Sequence, residues 1–169
     1  YILSENDSVV IIKKGVMPSK DEFESMISAR HTPLVYNRLK KAKVAIAGLG
    51  GLGSNIAIML ARTGIGKILL VDFDTVEPSN LNRQHYFIRH LSMPKTLALK
   101  EQINDINPFI TVETKTVYID DTNIKTLFKD YEIVCEAFDN PVCKANLVNI
   151  ILTELPSTKI VAASGMAGY

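Results

Sequence analysis

Four glycines, a few carboxylates and two cations are the residues of this 169-residue chain whose types and order could do chemistry. In the stretch AIAGLGGLGSNIA, residues 45–57, glycines at 48, 50 and 53 fit the spacing G-x-G-x-x-G, and Gly51 adds a fourth. In such a loop the first glycine permits a tight turn off a strand. The second lets the backbone approach a phosphate, and the third lets a helix pack close to the sheet. The following helix is expected to begin near Ser54 and to aim its N–H groups and positive dipole end at that phosphate. Asp72 stands roughly 20 residues beyond the loop, after the next apolar run, where a carboxylate accepts from ribose hydroxyls. These features indicate a nucleotide with a ribose and leave NAD and ATP equally open.

The residues after that run favour a triphosphate. VDFDTVEPSNLNRQ, residues 71–84, gathers Asp72, Asp74, Glu77, Asn80, Asn82, Arg83 and Gln84 beyond a strand's carboxyl end. In an open α/β sheet that edge is the ligand crevice. Arg83 offers a planar fork for phosphate oxygens, and Asn80 can bond sugar or phosphate without adding charge. Lys95, in the first turn of the next expected helix, is a second cation on the same side. In VCEAFDNPVCK, residues 134–144, Asp139 follows another apolar strand. A carboxylate there can hold Mg²⁺, which takes one or two carboxylates together with phosphate oxygens and water. It can equally cap the helix opened by Pro141. Either Asp139 does both, or Asn140 caps and Asp139 is left for the metal. Arg83, Lys95 and Asp139 are the expected catalytic set, because attack on a nucleoside triphosphate is mostly positioning and charge neutralisation. A dehydrogenase needs a hydride-accepting pocket instead, usually from a second domain.

The elements that must position these groups alternate. KVAIAG (43–48) and KILLVDFD (67–74) read as strands buried on both faces, joined through the glycine loop and a helix closed by Gly64 into a βαβ unit of about 30 residues. Then come helix 94–107, strand 109–119, helix 123–131, strand 132–138, helix 141–155 and strand 158–164. This alternation predicts a Rossmann-like α/β fold, a mainly parallel sheet flanked by helices. Ahead of it, 8–13 reads as a short strand and 18–30 as a helix opened by Pro18 and Ser19, with Asp21, Glu22 and Glu24 near its positive end. A second short helix covers 32–42. The apolar fraction of 47% and charged fraction of 22% are those of a globular protein, and the net charge of +1 implies neither a nucleic-acid nor a membrane partner. No signal-peptide pattern and no membrane-length apolar run occurs, which makes the cytoplasm the default compartment. The abrupt first and last residues lead us to expect a longer polypeptide.

Taken together, GLGGLGSNIA, VDFDTVEPSNLNRQ, Lys95 and the FDN at 138–140 resemble the ThiF/MoeB branch of the ubiquitin-activating-enzyme superfamily, over about residues 43–169. ARHTP followed by KVAIAGLGGLGSNIA is most similar to ThiF proteins of thiamine biosynthesis. The resemblance implies an ATP- and Mg²⁺-dependent adenylyltransferase. Its substrate would be the C-terminal glycine carboxylate of a ubiquitin-like sulfur carrier such as ThiS. A MoaD-type carrier or a tRNA-bound carboxylate is the alternative, with an NAD-dependent oxidoreductase behind both. Carried over by motif, Gly48, Gly50, Gly51, Gly53, Asp72, Asp74, Asn80, Arg83, Gln84 and Lys95 hold the nucleotide and Asp139 binds magnesium. A homodimer is implied too, with an N-terminal arginine, Arg30 or Arg38, reaching into the partner's site.

The chain also departs from that pattern. The paired C-x-x-C motifs of a structural zinc site and a later reactive cysteine are missing from these residues, and Cys135 and Cys143 match neither. Cys135 is expected to pack as a small apolar residue and Cys143 to sit in a helix. Residues 1–33 are read as an extension weakly similar to the end of a ThiS-like module, and 34–169 as the ATP-binding domain, incomplete at its C-terminal end. His85 and His90 are expected to support the site rather than to catalyse. Met59, Leu60, Leu97 and Leu99 are expected in the core.

Overall fold

The computed structural model describes residues 2–5, 7, 9, 11, 14–29, 31 and 33–164. The chain divides into two compact units, Tyr1–Arg38 and Leu39–Tyr169.

In the first unit, helix α1 (Lys20–Ser28) starts where Ser19 predicts. Ser19 Oγ accepts from the Glu22 N–H, and Glu22 returns the bond to the Ser19 N–H at 2.7 Å. That reciprocal pair satisfies two donors the helix start leaves open, and it holds the Glu22 carboxyl below its ordinary range. Helix α2 (Pro33–Lys41) follows, and its last residues, from Leu39, belong to the second unit. Of the strand expected over 8–13, Ser8, Val10, Ile12 and Lys13 lie outside the described residues, and Val9 and Ile11 carry no strand.

The second unit is built on a five-stranded sheet. Strands β1 (Lys43–Ala47), β2 (Lys67–Val71), β3 (Thr111–Lys115), β4 (Ile133–Glu136) and β5 (Lys159–Ala162) pair in the order β3-β2-β1-β4-β5. Every pairing is parallel, as the alternation requires. Helices α3 (Gly51–Thr63), α4 (Lys95–Ile106), α5 (Ile124–Phe128) and α6 (Pro141–Glu154) are the crossovers. Alternate residues of β1 divide between two apolar clusters: Val44 and Ile46 pack with α3 and α4 residues, Ala45 and Ala47 with α5 and α6 residues. The chain therefore folds as a three-layer Rossmann-like α/β unit. Among the described residues, no helix is long and apolar enough to cross a membrane.

Several expectations need correction. The strand expected over 109–119 is confined to Thr111–Lys115 and the helix expected over 123–131 to Ile124–Phe128. Helix α3 starts at Gly51, not near Ser54, so two glycines of the loop lie in its first turn. Packing against the sheet overrides the poor helix propensity of glycine there. Met59 and Leu97 are exposed, at 59% and 45%, whereas Leu99 is fully buried and Leu60 packs against the core from a partly buried position. Helix α3 is apolar nearly all round, so its pattern does not reveal which face the sheet takes.

Candidate active site

The strand order reverses between β1 and β4, because successive crossovers run to opposite sides of β1. Such a switch leaves a crevice at the carboxyl ends of the strands. A cavity of about 460 Å³ opens there, within the size range of small-ligand sites. The glycine loop, the exits of β2, β3 and β4, and the first turn of α6 form its walls.

Two glycines shape the loop. Gly48 adopts φ +89°, a left-handed conformation that other residues rarely take. Gly53 lies so close beneath it that a Cβ at 53 would sit 1.9 Å from the Gly48 carbonyl oxygen. This close approach swings the start of α3 toward the cleft. The first helical bond runs from the Ser54 N–H to the Gly50 carbonyl at 3.0 Å. The N–H groups of Gly51, Leu52 and Gly53 thus stand ahead of the hydrogen-bond ladder, as an anion site requires.

Asp72 holds this loop to β2. One carboxylate oxygen accepts from the Leu49 N–H at 2.6 Å and the other from the Asp74 N–H at 2.8 Å. Tyr86 adds a second tie, donating its hydroxyl to the Leu49 carbonyl at 2.7 Å. Burial, and then the charges of Asp72 and Asp74, push the Tyr86 phenol far up, which keeps it a donor. His85 donates its N–H to Ser54 Oγ and its carbonyl accepts from Gln102 Nε2, while His90 Nδ1 accepts from the Phe87 N–H. His85 thus ties to the start of α3, whereas the His90 ring bonds within its own 3-10 turn.

An antiparallel bridge between Thr75 and Pro94 brings the two halves of the polar set together. It lays Lys95 beside Asp74, and the ammonium donates to Asp74 Oδ2 at 2.8 Å. Lys95 is only 5% exposed, whereas the Asp74 side chain keeps 45% of its surface open. Arg83 is exposed and folds back on its own turn, its Nη1 donating to the Ser79 carbonyl and to Asn82 Oδ1. Gln84 is buried, and its amide oxygen has no hydrogen-bond partner among the described residues. Asn80 is not brought to the cavity wall; its amide oxygen accepts from the Glu77 N–H within the 3-10 turn Pro78–Asn80. Gly53 lies behind the wall.

The helix cap at α6 has one owner. Asn140 Oδ1 accepts from the N–H groups of Val142 and Cys143, at 2.9 and 3.1 Å. Asp139 lines the cavity, exposed, and its carboxylate makes no hydrogen bond or ion pair with a described residue. Of the two neighbours, Asn140 is therefore the cap, and the Asp139 carboxylate is left open to the cavity. Asn140→Ala is expected to destabilise the fold by about 1 kcal/mol, and Asp139→Ala by less than about 0.5 kcal/mol, in denaturant titrations. Equal losses would contradict this division.

Gly48, Gly50, Gly51, Asp72, Asp74, Arg83, Gln84, Lys95 and Asp139 thus meet at one cavity. Sequence reasoning missed its apolar half: Phe73, Val117, Tyr118, Ile119 and Phe138. Phe73 and Tyr118 meet edge to face, with ring centroids 5.1 Å apart. The rule that placed Asp72 at a strand exit applies equally to Phe73 after β2 and to 117–119 after β3, so a signal was present. Cys143, assigned to a helix with no part in the site, is in α6 and also lines the cavity, its Sγ 3.3 Å from Tyr118 Oη. That contact raises the Tyr118 phenol above its ordinary range. Cys135 is buried within β4, where burial raises its thiol. Of the two N-terminal arginines, Arg30 lies outside the described residues and Arg38 is exposed on α2 of the first unit.

A polar, cationic half beside an aromatic half suits a nucleotide: phosphates over the glycine loop, a base against the rings. Asp139 offers an open carboxylate at the same cavity as Lys95 and Arg83, a chemistry that fits magnesium held partly by phosphate oxygens and water.

Residues 25–169 match the model of the ThiF family. The chain is 38% identical over 133 residues to the adenylyltransferase and sulfurtransferase UBA4 of Vanderwaltozyma polyspora, across 76% of this chain and 29% of that protein. It is 34% identical over 116 residues to the sulfur carrier protein adenylyltransferase of Thermus thermophilus, across 68% of this chain and 43% of that one. The chain therefore spans less than half the length of these curated relatives. Among solved structures it is similar to the E. coli tRNA N6-threonylcarbamoyladenosine dehydratase TcdA in complex with ATP. There the TM-score is 0.81 at 28% identity, over 91% of this chain and 64% of that one.

Proposed function

The chain belongs to the ThiF family, and from that premise we propose that it is the nucleotide-binding part of an adenylyltransferase. In this reading it activates the C-terminal glycine carboxylate of a ubiquitin-like, ThiS-like sulfur carrier for thiamine biosynthesis. The observation that carries the reading is the convergence of Arg83, Lys95 and Asp139 on one cavity with the glycine loop. We place the adenylating domain at residues 34–169 and regard 1–33 as an extension related to a ThiS-like module. The working protein is taken to be a cytoplasmic homodimer, with Arg38 or Arg30 reaching the partner's site.

Each group has a physical task. The N–H groups at the start of α3 receive phosphate oxygens, with the helix dipole behind them. Lys95 uses one of its three N–H donors on Asp74 and turns the other two to phosphate. Arg83 releases Ser79 and Asn82 and offers its fork to oxygens that gain charge in the reaction. Both oxygens of Asp72 already serve the backbone, so Asp74, with its open side chain, is better placed to accept from ribose hydroxyls. Gln84 borders the loop at Gly50, its amide nitrogen 3.9 Å from where a Cβ would stand. Asn80 acts from behind, holding the turn that carries Arg83. Asp139 would hold magnesium, which when bound neutralises phosphate charge. The carrier's carboxylate oxygen forms a bond to the α-phosphorus while the bond to the pyrophosphate oxygen breaks. The nucleophile is already ionised, so no general base is needed, consistent with the supporting roles of His85 and His90.

The test is exchange of labelled pyrophosphate into ATP by the full-length protein. Exchange is expected only when a carrier ending in Gly-Gly is added, and a ThiS-type carrier should work better than a MoaD-type carrier or tRNA. Exchange driven best by tRNA would move the substrate to the class named for TcdA. No exchange with any of them, alongside tight NAD binding in calorimetry, would return the glycine loop to the dehydrogenase reading.

A further inference from the structure

We propose that the ion pair between buried Glu136 and partly buried Lys144 is a positioning device for Asp139, and through it for the divalent cation that accompanies a nucleotide in the cleft. This rests on the reading of Asp139 given above.

Glu136 is the last residue of β4 and is 1% exposed. Its Oε1 accepts from the Phe138 N–H at 2.6 Å, and its Oε2 accepts from Lys144 Nζ. Lys144, in the first turns of α6, also donates to the Ala163 carbonyl just past β5, at 3.1 Å. One ion pair therefore joins the end of β4, the start of α6 and the exit of β5. Asp139 lies in the middle of that clamp. The residue before it is fixed by Glu136, and the residue after it, Asn140, is fixed as the cap of α6. With no side-chain partner of its own among the described residues, the Asp139 carboxylate takes its direction from this doubly pinned backbone. Phe138, on the aromatic wall of the cleft, is held by the same bond.

Stability alone is a poor reason for such a pair. Taking two charges out of water costs about what their attraction returns, and an apolar pair of similar volume is often at least as stable. Geometry is what an apolar pair would not supply: a carboxylate that accepts a particular backbone N–H and a cation that fixes that carboxylate. Partners that orient a metal ligand from behind typically change metal affinity about 10- to 100-fold when they are removed.

The experiment is calorimetric titration of ATP into the full-length protein at graded Mg²⁺, which gives the half-saturating Mg²⁺ without requiring turnover. Lys144→Met alone leaves a buried carboxylate unpaired and risks unfolding. The main variant is therefore Glu136→Leu with Lys144→Met, which removes both charges together. It is expected to raise the half-saturating Mg²⁺ about 10- to 100-fold while magnesium-free nucleotide affinity and the melting temperature stay near wild type. Lys144→Arg, which keeps the cation, is expected to stay within about threefold of wild type. Asp139→Asn is the control and should shift the Mg²⁺ dependence at least as far. If Asp139→Asn shifts it and the double variant does not, the inference is overturned and the reading of Asp139 stands. If Asp139→Asn leaves it unchanged, the reading of Asp139 fails and the inference falls with it.

Discussion

Gly53→Ala is expected to lose more than about 3 kcal/mol of stability, with nucleotide binding abolished in whatever remains folded. An added Cβ would lie 1.9 Å from the Gly48 carbonyl oxygen and 2.9 Å from its carbonyl carbon. Both are backbone atoms, and Gly48 has nowhere to retreat. Its N–H is bonded to the Val71 carbonyl at 2.9 Å, and its left-handed φ is set by the turn. Either α3 lifts away from β1, exposing Ala57, Ile58 and Ala61 of its buried face, or the loop opens and its N–H groups no longer converge. Gly51→Ala is the matched control in the same helical turn. The nearest atom to its added Cβ is Arg83 Cγ at 3.8 Å, an ordinary contact. Denaturant titration of the two variants checks the claim, which fails if they prove equally stable.

The second large effect concerns charge in the cleft. Lys95→Met and Arg83→Ala are each expected to slow carrier-dependent pyrophosphate exchange about 10²- to 10³-fold, the range seen when one donor to a developing charge is removed. Their side effects should differ. Arg83 is exposed and bonds only within its own turn, so its loss should leave unfolding unchanged within about 0.5 kcal/mol. Lys95 is buried and pairs with Asp74. Its removal leaves a carboxylate unpaired beside the triphosphate, so ATP affinity should fall together with the rate. Exchange kinetics combined with ATP calorimetry separate the two. If both variants retain rates within about threefold of wild type, these cations do not serve phosphoryl transfer.

Much of this was legible before any coordinates. The short apolar cores of KVAIAG and KILLVDFD suit strands covered on both faces, where no polar alternation is needed. The spacing of Gly48, Gly50 and Gly53 states which backbone positions must stay bare, and this is a local demand that a local pattern can carry. Asp72, Lys95 and Asp139 are visible because each follows a strand exit or opens a helix, and Arg83 because it stands in the polar run after β2; the crevice rule says which edge that is. Pro18 and Ser19, followed by Asp21, Glu22 and Glu24, announced the start of α1 for the same reason: helix-start chemistry acts within one turn.

What sequence could not supply were partners distant along the chain. Whether Asp72 faces ribose or the Leu49 N–H, whether Met59 meets the sheet or solvent, and whether Cys143 touches Tyr118 all depend on how separate elements dock. So does the pairing of Glu136 with Lys144, which sequence shows only as a glutamate ending one element and a lysine starting the next. The sequence by itself determined the α/β layering, the parallel sheet and the glycine turn, because hydrophobic period, steric freedom and helix-end chemistry act over a few residues. Only the tertiary structure decided which carboxylate is clamped and which is open. Hydrogen bonds and burial follow distance in space, and that distance is fixed only after β1, β2, β3 and β4 lie side by side.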